Sequence, residues 1–193
     1  LSVMSGADSR LPFSISNEGL LPVEPVNLSG KRIGWLKDWS GAFAIEPSLL
    51  KASSLAVQKF IDMGANVDVL AAPFSSAALW ESWITLRSWS MATSFISYFE
   101  TPHLRDLLKP AVLWEIENGL RLSGLDIHKA SVLRSNWYAH AAHLFEQFDV
   151  LVLPSTQIWP FPADQVYPTR ISEMELDTYH RWMEVVIPAS LIG

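Results

Sequence analysis

The distribution of apolar and polar residues along the chain predicts alternating strands and helices. KRIGWLK (31–37) and NVDVLA (66–71) are short apolar runs, and FDVLV (148–152) runs apolar except for Asp149 before Pro154 ends it. With so little polar face, the strand at 149–153 is expected to be covered on both sides. Between the first two runs, Glu46-Pro47 opens a helix with proline in its first turn, and Gly64 closes it. Its apolar stripe is read as Leu49, Ala52, Ala56, Phe60 and Met63, widened by Leu50, Val57 and Ile61. Strand, helix and strand then fit one right-handed βαβ crossover, which makes the sheet parallel. The fold class is α/β.

Residues 75–100 are apolar nearly all round and read as a helix buried on most sides. Arg87 argues against a membrane span, since an arginine inside a bilayer costs about 2.5–3.5 kcal/mol on insertion scales. Further helices are expected near 106–122 and 127–147, parted by Ser123-Gly124, with Leu133, Trp137, Leu144 and Phe148 on one stripe. A last helix is expected over 172–187, carrying Tyr179, Trp182, Met183 and Val186 inward. Residues 5–30, with Pro12, Pro22 and Pro25, read as a surface loop or linker. Both ends look cut from a longer sequence, so the apolar tail 185–193 and the face of 77–99 should be sticky and drive homo-oligomers.

A net charge of −6 over 193 residues, without any basic run, excludes a phosphate-binding surface, so no nucleic-acid partner is expected. With no cysteine there is no thiolate site or nucleophile, and together with a start that lacks a signal pattern this suits a reducing cytoplasm. The GxSxG elbow is missing, and so are phosphate-cradling glycine spacings, so no cofactor is expected. His140 and His143 share a helix face with Glu146, but the spacing of three favours a polar surface over a metal site. Glu115 and Glu117 point to different sides of their helix and read as solvated charge. The nine tryptophans can line an apolar channel or fill a core, and packing is the commoner use. Ser155, Thr156, Gln157 and Trp159 follow the carboxyl end of a parallel strand, where open α/β sheets bind ligands, and are the candidate substrate-binding residues; a simple turn is the rival reading.

Four segments in order resemble the amidase-signature hydrolases: SVMSGADSRLPFS, NLSGKRIGWLKD, FDVLVLPSTQ and LDTYHRWMEVVIPASLIG. In the third, Pro154 and Thr156 agree with the family's Thr-Pro-Thr-Thr, whereas Leu153 and Ser155 replace its threonines. The resemblance implies a strand set within a larger mixed sheet flanked by helices, with residues 1–193 a single portion of a bigger amidase domain. It also implies hydrolysis of a small-molecule amide by a serine nucleophile, activated through a cis-peptide serine and a lysine, with a Gly-Ser-rich oxyanion loop. The family carries these groups N-terminal to the matching segments, so no catalytic residue is assigned within this chain, and the chain alone is expected to be inactive. A non-catalytic binding or assembly module on the same scaffold is the alternative.

Overall fold

The computed structural model describes residues 6–11, 14 and 27–193. Most of the loop expected over 5–30, and parts of SVMSGADSRLPFS, lie outside the described residues.

Strand β1 (Arg32–Trp35) is the centre of a three-stranded sheet ordered β2-β1-β3, with β2 at Asn66–Val69 and β3 at Val150–Val152. Both pairings are parallel, Ile33 facing Val67 on one side and Val150 on the other. The strands expected at 31–37, 66–71 and 149–153 therefore form, two to three residues shorter. Gly34 allows this close assembly, because a Cβ there would lie 2.7 Å from Leu151 and 2.8 Å from Leu70. Contrary to the expectation of full cover, Val150 is 48% exposed. The reason is position, since β3 is an edge strand of this sheet.

Helix α1 (Pro47–Asp62) opens at the expected proline and ends before Gly64, whose φ of +93° suits glycine. Its buried row is not the expected one. Leu49 and Val57 are buried and Ser53 and Phe60 half-buried, while Ala52, Ala56, Ile61 and Met63 are exposed. The helix is thus rolled by about one position, because four-residue strands cover only a narrow strip of it.

Helix α2 (Ser76–Glu100) forms as read, capped by the Ser75 hydroxyl, which accepts from the Ala78 amide at 3.3 Å. It is less buried than its sequence implies: Leu79, Ser82, Ser88 and Ala92 are sealed, whereas Trp89 and Tyr98 are more than two-fifths exposed. Among the described residues no helix is long and apolar enough to cross a membrane. A four-residue turn, α3 (Pro102–Arg105), precedes α4 (Pro110–Arg121), which starts later than expected because Pro110 holds Lys109 extended. At Gly119 the backbones of α4 and α2 touch, for a Cβ would stand 2.1 Å from the Ser88 carbonyl oxygen.

Helix α5 (Gly124–Phe145) begins three residues before the expected start, where Ser123 and Asp126 form a reciprocal capping box. Its stripe runs through Ala130, Trp137 and Ala141, and continues to the buried Phe148 at the entry to β3.

The helix expected over 172–187 does not form as one element. Ser172 sits at φ +50° and turns a small antiparallel hairpin of β4 (Arg170–Ile171) and β5 (Met174–Glu175). A 3-10 turn over Arg181–Val186 then leads into α6 (Ile187–Ile192), with Pro188 in its first turn. Tyr179, Trp182, Met183 and Val186 are half-buried, and the fully enclosed positions are His180, Val185 and Ile187. The tail is therefore not a bare apolar surface: Val185, Ile187 and Leu191 join Leu36, Trp39, Phe43, Leu79 and Trp137 in the core. Trp39 meets Trp137 edge to face at 5.6 Å, and the Trp137 indole N–H donates to the Pro188 carbonyl at 2.8 Å.

Candidate functional site

Between the segments that follow β1 and β3 and the stretch 174–184 lies a cleft of about 380 Å³, bordered by Ala44, Trp80, Gln157, Asp177, Arg181 and Glu184. The chain leaving β3 reaches it at Gln157. Pro154 ends the strand, and the Gln157 carbonyl accepts from the Glu46 amide at 2.9 Å. The Gln157 side chain, only 1% exposed, donates to the Ala44 carbonyl at 2.7 Å and accepts from the Val185 amide at 2.9 Å. One amide side chain thus ties three segments that surround the cleft.

The four residues singled out from the sequence separate in role. Ser155 is exposed, and the Thr156 hydroxyl donates to the Ile158 carbonyl at 3.0 Å, as in a local turn. Gln157 is a buried strut that reaches the cleft wall. Trp159 is 49% exposed with its indole N–H donating to the Ser48 hydroxyl at 3.0 Å, so its ring is held against the start of α1.

The cleft carries charge that the sequence did not single out. Arg181 donates from Nη1 to Glu184 at 2.8 Å and from Nε to Asp177 at 3.0 Å, with its guanidinium 3.5 Å from the centroid of Trp80. Burial pushes the Glu184 carboxyl above its ordinary range, and Arg181 only partly offsets that.

A second polar group lies inside the protein. Glu115, expected to be solvated, is 2% exposed; its Oε1 accepts from Arg87 on α2 and from His180 Nε2. Burial raises its carboxyl, but the bonds from His180 and Arg87 together outweigh this and hold it below the usual value. α4 presents Glu115 to α2 and to the 177–186 segment, whereas Glu117, on another side, remains half-exposed beside Arg105 at 3.3 Å. The sequence cue was Arg87 in an otherwise apolar stretch, which needs an acid within reach. His180 is packed among the rings of Trp83, Trp114 and Tyr179, at 5.4, 5.9 and 5.1 Å.

His140 and His143 are exposed on α5, and His143 Nδ1 pairs with Glu146 at 2.9 Å. Among the described residues no group of three His, Cys, Asp or Glu side chains is placed to hold a metal ion.

No protein-family model matches the chain. It is 22% identical over 174 residues to an acylamidase from Rhodococcus erythropolis, which covers 88% of this chain and 35% of that protein. Among solved structures, that of a bacterial aryl acylamidase of the amidase-signature family superposes on 97% of the chain and 40% of its own length, with a TM-score of 0.79 at 19% identity. A second amidase structure covers 89% of the chain and 38% of its own length, with a TM-score of 0.72 at 18% identity. The chain spans about a third to two-fifths of the length of these relatives. Its resemblance to the amidase-signature enzymes thus extends to the fold, which is that of a part of those proteins.

Proposed function

We propose that this chain is part of an enzyme that hydrolyses a carbon–nitrogen amide bond, and that the cleft bordered by the segments that follow β1 and β3 forms one wall of its substrate pocket. The observation that carries this reading is the superposition of 97% of the chain on an aryl acylamidase. The position of the cleft supports it independently, since segments that leave the carboxyl ends of parallel strands border it, and open α/β sheets bind ligands there.

In this reading the nucleophilic serine, the cis-peptide serine, the lysine and the oxyanion loop lie on residues outside this chain. The residues present supply the surroundings. Of the four residues after β3 only Gln157 borders the cleft; the exposed Trp159 ring and Ser155 lie beside it and are proposed to meet parts of the substrate that extend past its edge. Thr156 fixes the turn that presents these two residues, and Gln157 keeps the wall in place through Ala44 and Val185. Arg181 and Glu184 give the opposite side a paired, partly dehydrated charge. The lack of cysteine suits a reducing cytoplasm, and the face of α2 that carries the exposed Trp89 and Tyr98 is the surface we propose for association of copies.

The test is hydrolysis of a panel of simple aryl and alkyl amides by the full-length protein, with residues 1–193 assayed in parallel. Turnover by the full-length protein alone is expected. Hydrolysis by residues 1–193 by themselves overturns the placement of the nucleophile, and inactivity of the full-length protein on every amide points to the non-catalytic module instead.

A further inference from the structure

A separate cleft of about 240 Å³ opens beside His180, between the start of α4 and the segment that precedes the 3-10 turn. From its borders we propose that it binds a small organic ammonium ion. This goes beyond the amide-hydrolysis reading and does not depend on it.

Four aromatic rings border the space: Trp114, Tyr167, Tyr179 and His180. Tyr179 stands nearly at right angles to both Tyr167 and His180, as adjacent walls of a box do, while Trp114 is tilted by 37° to His180. Tyr167 and Tyr179 are 5.4 Å apart at 83°, and Tyr179 and His180 are 5.1 Å apart at 88°. Trp114 adds a wall 5.9 Å from His180. Electron-rich rings arranged around a small space attract cations, and quaternary and protonated amines are the ligands that such boxes select.

One polar feature points the same way. The Asp177 carboxylate borders the cleft, and among the described residues no lysine or arginine does. Asp177 is shared with Arg181, which bonds Oδ1 and leaves Oδ2 for a second cation. The His180 ring, 1% exposed, backs the cleft.

A primary ammonium therefore fits better than a quaternary one, since only the former donates to the Asp177 carboxylate. The probes are n-butylammonium, tetramethylammonium and neutral 1-butanol, titrated into the full-length protein by calorimetry. Saturable binding of n-butylammonium is expected, with tetramethylammonium weaker and 1-butanol at least tenfold weaker, on the order of a cation–π contact together with a charge-assisted hydrogen bond. Tyr167→Leu and Asp177→Asn are each expected to weaken n-butylammonium by roughly threefold to tenfold. Equal binding of 1-butanol and n-butylammonium overturns the proposal, and so does the absence of any cation binding. The comparison of probes on the unaltered protein decides the question even where a variant does not fold.

Discussion

Glu115 and His180, 65 positions apart in the sequence, share a hydrogen bond in the interior, where each is at most 2% exposed. Arg87 completes the group from α2. Three elements distant along the chain are thereby joined by one carboxylate, so its removal leaves the sealed His180 Nε2 without its partner, while Arg87, 40% exposed, can turn to water.

Glu115→Ala should lower stability by about 1–3 kcal/mol, as expected when a buried hydrogen-bond partner is deleted. Glu115→Gln keeps an acceptor and should cost about half of that. Urea midpoints of the two variants against the parent measure the difference, and equal midpoints for all three proteins contradict it.

The two perturbed glutamates give opposite pH trends. Glu115 is held below its ordinary value of 4.5, so its contribution is complete above that pH and fades as pH falls through the lower folded value. The stability gap between the parent and Glu115→Ala should therefore narrow in acid. Glu184 is raised, so its favourable share is present in acid and lost as pH rises above 4.5 through the folded value. The parent should lose ground to Glu184→Gln over that rise. Unfolding curves from pH 3 to pH 8, spanning the acid range in which carboxyls titrate, test both signs.

Gly119→Ala should destabilise the protein by about 2–3 kcal/mol although alanine favours helices by about 1 kcal/mol. The added methyl would meet a backbone oxygen of α2, which cannot swing aside. Gly34→Ala meets only side-chain atoms of Leu151, Leu70 and Phe148 and should cost less. Thermal melting of the two variants orders them.

Gln157→Ala should cost about 2–3 kcal/mol, because the Val185 amide and the Ala44 carbonyl lose their buried partner together. In the full-length protein the same change should lower kcat/KM of amide hydrolysis more than Trp159→Phe does. A Gln157→Ala protein of unchanged melting temperature shows that the strut carries no weight.

The parallel sheet was legible because strand, helix and strand each carry local marks: apolar runs at 31–37 and 66–71, Pro47 at the helix start and Gly64 at its end. The burial of Glu115 was not, because it is decided by Arg87 and His180, which periodicity within α4 does not register. The same holds for α1, whose inward row depends on which strip the sheet covers. The helix expected at 172–187 failed at Ser172, where a left-handed residue turns the chain back and tertiary contacts override an apolar stretch of helical spacing. Of the candidate cleft, the position after β3 could be read from the sequence, whereas Arg181, Glu184 and Trp80 are brought there by packing of the 177–186 segment on α2.

Because Ile33 pairs with Val67 on one flank and with Val150 on the other, the central strand obtains its neighbours at very different moments of synthesis. A ribosome adding about 5–20 residues per second leaves that second flank unzipped for roughly 4 to 17 seconds after the first has closed. During that interval a nascent copy offers a hydrogen-bonding seam to any passing extended segment, so slow translation of the helical stretch between them favours misassembly, and a chaperone that shields the seam raises yield.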